Sequence, residues 1–312
     1  MILPAHFIRS PRPVMLYGTT PPREGASRAD IQLAAEKLVD RTSSLELDGI
    51  VVYDVQDESE RTQEPRPFPF LPTLDSRIYS KILHELSGIP VVTYKCVAQM
   101  SEESWGAWLD QSADDFGITA LSLVGSPTQK RSGDAISLPK ATEMAIAHPA
   151  NFCLGAVAIA ERHTETRSES QRMIQKAQAG CEFFVSQSVY NSQKTIKLVN
   201  DYARECRQLG IEPKRFIFTF APCGRAKTME FIKWLGVSVP PEIERGILEA
   251  ANPLDKSVEI CRSILLEILD GIEDKSLPLG LNIESVSINK EEIEASIKLF
   301  NELGQVLKVA AP

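Results

Sequence analysis

A chain of 312 residues, 43% hydrophobic and 24% charged, carries enough apolar surface for a sizeable core, arranged as one large α/β domain or two smaller ones. Its formal net charge of −8 and pI near 5.3 argue against a general polyanion-binding surface, and so against a nucleic-acid partner. Six cysteines without a CxxC pair and four histidines without ligand spacing argue against a disulfide framework and against a metal site. The N-terminal MILPAHFIRSPRP is a poor signal peptide, and no apolar run is long enough to span a bilayer. The expectation is a cytoplasmic protein acting on small molecules, with no membrane partner; homo-oligomerisation stays open.

In chain order, VMLYG (14–18) reads as a buried strand running into the stiff turn Thr19-Thr20-Pro21-Pro22. ASRADIQLAAEKLVDRTSS follows as a helix, with Ser27 as N-cap and Ile31, Ala34, Ala35 and Leu38 on one stripe. After the strand GIVVYD (49–54) comes PRPFPFLPTLD (65–75), proline-rich and aromatic. It reads as an ordered packing loop, a lid or a polyproline segment. PVVTYKCV (90–97) is the third strand, and the helix after it opens near Ser101 and sets Trp105 and Trp108 against the outer surface of the strands. ITALSLVG (118–125) precedes a surface loop, KRSGDAISLPK (130–140), and FCLGAVAI (152–159) precedes a helix closing on Gly180. EFFVSQSV (182–189) leads to a helix closing on Gly210. RFIFTF (215–220), two helices between Gly236 and Asp274, LGLNIESVSI (279–288) and a helix closing on Gly304 complete the chain.

Eight strand-like runs, apolar almost throughout and each followed by helical periodicity, predict a (β/α)8 TIM barrel. It is a single domain over residues 1–312, with an extra helix before the last strand. The rival is a doubly wound open sheet, but no GxGxxG follows the first strand. In a barrel, chemistry belongs at the carboxyl ends of the strands. Those ends carry Thr19, Tyr53-Asp54, Tyr94-Lys95-Cys96, Gly125-Ser126, Glu161-Arg162-His163, Gln187-Ser188 and Glu284.

The stretch KAQAGCEFFVSQSVYNSQKTIKLVNDYARECRQLGIEPKRFIFTFAP (176–222) resembles the methylenetetrahydrofolate reductase pattern K-x-D-A-G-A-x-x-x-I-T-Q-x-F-F-D and the I-I-P-G-I-x-P strand that follows it. LGVSVPPEIERGIL (235–248), ALSLVGSPTQ (120–129), LGAVAIAERHTE (154–165) and VMLYGTTPPRE (14–24) are similar to further family segments, in the same order. The resemblance implies a barrel that reduces 5,10-methylenetetrahydrofolate to 5-methyltetrahydrofolate with NAD(P)H, in typical members through FAD. Carried over by position, it implies folate contacts at Gln187, Tyr190 and Thr19, and cofactor contacts at Gly125, Ser126, Glu161, His163 and Lys176. Gln187 could equally be a strand-end amide bonded to backbone, and Lys176 a solvated helix lysine.

The departures fall together. The family's acid lands on Gly18, its flavin-side aspartate on Ser126 and the arginine before that on Val124. FAD is therefore expected to be held weakly or not at all, and the proton donor must come from another strand. Asp54 and Glu284 are the candidates, since a carboxyl in a barrel mouth has its pKa raised by desolvation. Glu284 could instead pair with Lys95 or Arg225. The alternative function is a folate-binding or one-carbon-handling protein without reductase activity.

Overall fold

The computed structural model describes residues 6–58, 62–125 and 134–310. Eight parallel strands follow one another around a closed barrel. They are β1 (Val14–Thr19), β2 (Gly49–Val52), β3 (Val91–Cys96), β4 (Ala120–Val124), β5 (Cys153–Ala158), β6 (Phe183–Ser188), β7 (Arg215–Phe220) and β8 (Leu279–Glu284). The ring closes through β1 and β8, with Val14 opposite Gly280 and Gly18 opposite Glu284. This is the TIM barrel expected from the alternation of apolar runs and helical periods. An open sheet would have left two unpaired edges.

The helices are α1 (Arg28–Thr42), α2 (Ser76–Ser87), α3 (Glu102–Asp114), α4 (Leu138–Ala147), α5 (Glu169–Gln178), α6 (Ser192–Leu209), α7 (Ala226–Trp234), α8 (Pro241–Leu248), α9 (Pro253–Gly271) and α10 (Lys290–Ala310). Local chemistry sets their ends. Ser27 accepts from the Asp30 amide, and Ser101 and Ser104 form a reciprocal capping box. Gly210 ends α6 with φ 66°, a conformation open to glycine at little cost. Trp105 and Trp108 stack with centroids 5.1 Å apart, both buried, in a cluster with Leu121 and Leu123 of β4 and Leu154 of β5.

Two sequence expectations change. Helix α10 runs through Gly304 instead of ending there. A Cβ at Gly304 would lie 3.2 Å from Met15 Cε, so the glycine serves close packing of the helix on the barrel. The two helices expected between Gly236 and Asp274 are α8 and α9, but a further helix, α7, precedes them in the connection from β7 to β8. The last, α9, packs on α6 and α10 as a member of the outer ring, whereas α7 ends at Trp234, whose Nε1 donates to the Glu64 carbonyl in the β2–α2 connection at 3.1 Å.

Alternation along the strands makes two cores. Val14, Leu16, Val51, Val92, Ala120, Cys153, Phe183, Val185 and Ile217 fill the barrel, while their neighbours pack beneath the helices. The amino end of the barrel is plugged by the segment around Phe7 and Ile8. Arg215, 3% exposed, reaches that plug and donates to the carbonyls of Ile8 (2.8 Å), Leu279 (2.5 Å) and Ser10.

One irregularity matters for the site. Between Val185 and Ser188, β6 bulges: Val185 pairs with Ile217 and Ser188 with Thr219, three residues against two.

Candidate functional site

At the carboxyl end, the last interior layer of the barrel is polar. Asn282 lies two residues before Glu284 on β8, so both side chains enter the barrel. Asn282 Nδ2 donates to Tyr53 Oη at 2.8 Å and to Thr219 Oγ1 at 3.3 Å. Its Oδ1 is buried with no hydrogen-bond partner. Ser188, turned inward by the bulge, donates to Glu284 Oε1 at 3.2 Å. Tyr53 and Tyr94 meet edge-to-face with centroids 4.8 Å apart.

Burial pushes the Glu284 carboxyl above its usual range, against the lowering effect of hydrogen bonds from Tyr53 and Ser188. Burial and the nearby Glu284 carboxylate likewise push the Tyr53 phenol well up. Ionisation of either group is therefore disfavoured at this enclosed position. Gly18 makes it fit: a Cβ there would lie 3.0 Å from Tyr53 Cε2 and 3.1 Å from Glu284 Cβ. The space above Gly18 is thus filled by the Tyr53 ring, and Glu284 stands opposite Gly18 on the adjoining strand.

Asp54, the other candidate acid, faces away from this layer. It accepts from the Cys96 amide at 2.8 Å and from Gln56 at 2.9 Å, and pairs with Lys95 at 3.4 Å. That uses Lys95, so Glu284 pairs with neither Lys95 nor the exposed Arg225. Asp54 and Lys95 floor a cleft of about 310 Å3 between the β1–α1 and β2–α2 connections.

The β2–α2 connection is strapped over the carboxyl face. The Arg66 guanidinium sits 5.3–5.4 Å from the ring centroids of Phe70, Phe231 and Trp234, and Phe68 meets Phe231 edge-on. The aromatic, proline-rich stretch is thus an ordered packing loop held on α7. Among the described residues Arg66 Nε and Nη1 are buried without hydrogen-bond partners, and desolvation lowers the guanidinium pKa.

Several predicted positions are corrected. Gln187 does not floor a pocket. The bulge directs it to the carbonyl of Leu235 at 2.6 Å, beside a crevice of about 10 Å3 shared with Asn191, Thr195 and Phe216. Tyr190 is 1% exposed and donates to the Ala221 carbonyl at 2.5 Å, as a core residue. His163 is neither exposed nor free: Nε2 donates to Asp201 at 2.7 Å, and Nδ1 accepts from the Glu169 amide at 3.2 Å. That arrangement selects the Nε2–H tautomer. Lys176 is not a solvated lysine, for its Nζ donates to the Val157 carbonyl at 2.7 Å, and burial lowers its pKa. Glu161 is spent on the Ser238 amide at 3.0 Å.

Thr19 stands half-buried at the end of β1, with its carbonyl accepting from the Tyr53 amide at 3.0 Å. The Gly125 carbonyl accepts from the Cys96 thiol, and Ser126 lies outside the described residues. Of the positions expected to contact a flavin, Glu161, His163 and Lys176 are engaged in hydrogen bonds within the protein. Asn282 was not singled out from the sequence, and Ser188 was noted only as a strand-end residue beside Gln187. The signal for Asn282 was a lone amide two residues before Glu284 in an otherwise apolar strand. Ser188 depended on the bulge and left no such signal.

Among the described residues no group of three or more His, Cys, Asp or Glu side chains could hold a metal ion, and no helix is long and apolar enough to cross a membrane. All six cysteines are buried and unpaired.

No protein-family model matches the chain, and no curated protein does. Among solved structures, a Clostridium thermocellum protein that binds two copies of 5-methyl-5,6,7,8-tetrahydrofolic acid is 32% identical, with a TM-score of 0.80. The match covers 95% of this chain and 96% of that one. More distant barrels include 2,3-dimethylmalate lyase, 12% identical with a TM-score of 0.45 over 99% of this chain and 95% of that one. Another is oxaloacetate acetylhydrolase, 12% identical with a TM-score of 0.44 over 75% and 76%. At that distance these two carry no argument about chemistry. Through its shared sequence and barrel over nearly the whole of both chains, this chain belongs to the same family as the Clostridium thermocellum protein.

Proposed function

We propose that this chain binds a reduced folate at the carboxyl end of its barrel, over the layer formed by Glu284, Tyr53 and Asn282. The observation that carries the reading is membership in the family of a protein that binds 5-methyltetrahydrofolate. The site's chemistry supports it. Reduced pteridines present neighbouring donors and acceptors on a flat ring, and the layer offers an unspent amide oxygen, a carboxyl whose ionisation is disfavoured by burial, and two tyrosine rings. Calorimetric titration with 5-methyltetrahydrofolate tests it: saturable binding is expected, and no heat of binding at any accessible concentration removes the reading.

A second reading, reduction of 5,10-methylenetetrahydrofolate by NAD(P)H without FAD, is favoured by one specific observation. The Glu284 carboxyl stands opposite Gly18 with its pKa raised. In that reaction Glu284 donates its proton to the folate nitrogen leaving the methylene carbon, opening an iminium. Hydride from the dihydronicotinamide then reaches that carbon, giving the methyl group and oxidised nicotinamide. The purified protein is then expected to lack flavin absorbance and to oxidise NADH or NADPH only when the methylene folate is present. Replacement of Glu284 by Gln should slow turnover about 100-fold or more. Folate binding with no nicotinamide oxidation would leave the first reading alone.

A further inference from the structure

We propose that Asn282 is the positioning residue of the site: its amide donates to the Tyr53 hydroxyl oxygen and so turns the Tyr53 proton toward the Glu284 carboxyl. The inference deepens the reading of Glu284 as the group that meets the folate, and rests on it for what that carboxyl does to a ligand.

Strand parity brings the three side chains together. Asn282 and Glu284 both point inward on β8, and Tyr53 enters from β2 across β1, where Gly18 leaves room. From the position that a Cβ of Gly18 would take, Tyr53 Oη and Glu284 Cβ are each 3.1 Å away. The hydroxyl therefore lies at the root of the glutamate side chain. Asn282 is 0% exposed, and its Nδ2 is spent inside the barrel, on Tyr53 Oη at 2.8 Å and Thr219 Oγ1 at 3.3 Å. Turned over, the amide would leave two N–H groups unpaired where now a single oxygen is, and a buried N–H is the costlier orphan. The direction of the amide is thereby settled.

That direction dictates the next hydrogen bond. A hydroxyl oxygen that accepts from Nδ2 keeps its own proton for another acceptor, and Glu284 is the one beside it. Donation from Tyr53 favours the ionised carboxyl, and a donor polarised by Asn282 does so more strongly. The protonated carboxyl, in turn, finds the near lone pair of Tyr53 already taken. Burial of Glu284 pulls the other way. Asn282 thus decides at which pH Glu284 changes from a donor toward a ligand nitrogen to an acceptor. Among the described residues no cation pairs with Glu284. The titratable groups around it are the phenols of Tyr53 on β2, Tyr94 on β3 and Tyr17 on β1, all pushed up by burial. The inner faces of β4 to β7 present Val124, Val157, Ser188 and Thr219, none of which titrates.

Infrared spectra of the intact protein across pH test the assignment, with the C=O stretch of protonated Glu284 identified by its loss in Glu284→Gln. Asn282→Leu keeps the volume and removes the donor. It should raise the midpoint of the Glu284 titration by about one pH unit or more, an about tenfold gain in proton affinity. Asn282→Val serves where the leucine does not fold. Tyr53→Phe, which keeps the ring, should move the midpoint in the same direction. Ser122→Ala removes another fully buried hydroxyl from the barrel interior and should leave the midpoint in place. A midpoint unmoved in a folded Asn282 variant or in Tyr53→Phe overturns the inference. One moved equally by Ser122→Ala reports loosened packing and overturns it too. Calorimetric titration with 5-methyltetrahydrofolate keeps the two readings apart: affinity should bend with pH at the infrared midpoint and follow it in the Asn282 variants. Binding without that bend overturns Glu284 as the folate contact. No binding while the midpoint still moves overturns the folate reading and leaves Asn282 positioning Glu284 alone.

Discussion

Glu284 shows how a single side chain takes its acidity from its surroundings. On an exposed strand end it would be an ordinary carboxylate. Enclosed by Tyr53, Asn282 and Ser188, its ionisation is opposed by desolvation, and the folded state holds a proton that the unfolded chain has released. The sign of the linkage follows. Where the folded protein binds the extra proton, stability falls as pH rises from the ordinary carboxyl value of 4.5 toward the raised one. Glu284→Gln removes that slope. Melting temperatures measured against pH should show the variant gaining on the parent as pH rises through this window, and parallel curves would contradict an enclosed, proton-holding Glu284. Glu284 was nameable from sequence because it ends an apolar run. Its partner Tyr53 was in view at a strand end but had no assigned role, since nothing in the order of residues says that the space left by Gly18 is filled from β2.

At the scale of elements, the bulge in β6 and the β2–α2 strap decide what faces the mouth. The extra residue in β6 exchanges Gln187 for Ser188 at the interior, a parity change that strand alternation read from sequence cannot register. The strap is anchored by Trp234 and by Arg66 among three aromatic rings. Trp234 is 4% exposed, so Trp234→Ala should cost about 3 kcal/mol in packing, a large share of which falls on the strap. Hydrogen exchange at residues 64–74 should then accelerate well before the barrel strands do. Uniform acceleration across the barrel would show that the strap is not an independently opening unit. Prolines and aromatics marked this segment in the sequence as ordered or lid-like, but its docking partner lies 170 residues away and only folding brings them together.

For the whole molecule, the barrel is closed at its amino end by the chain's own first described residues, through Arg215. Replacement by Met keeps much of the volume and removes the donor to the carbonyls of Ile8, Ser10 and Leu279. Burial already pushes the guanidinium pKa down to about 10, so relief of desolvation offsets part of the loss. A net cost of roughly 2–5 kcal/mol is expected from the unsatisfied carbonyls. It should appear as a lower urea midpoint with folate affinity unchanged, because the plug and the mouth lie at opposite ends of the strands. An altered affinity at full stability would contradict that separation. What the sequence by itself determined is the barrel: eight apolar runs with helical periods between them can bury both faces of every strand in few other ways. It also pointed to the carboxyl ends of the strands as the place for a site. The tertiary structure alone decided which side chains meet there. Register, one bulge and the direction of each strand-end residue depend on contacts between elements far apart in the chain, and these set Glu284 beside Gly18, Gln187 against α7 and Asp54 in a cleft of its own.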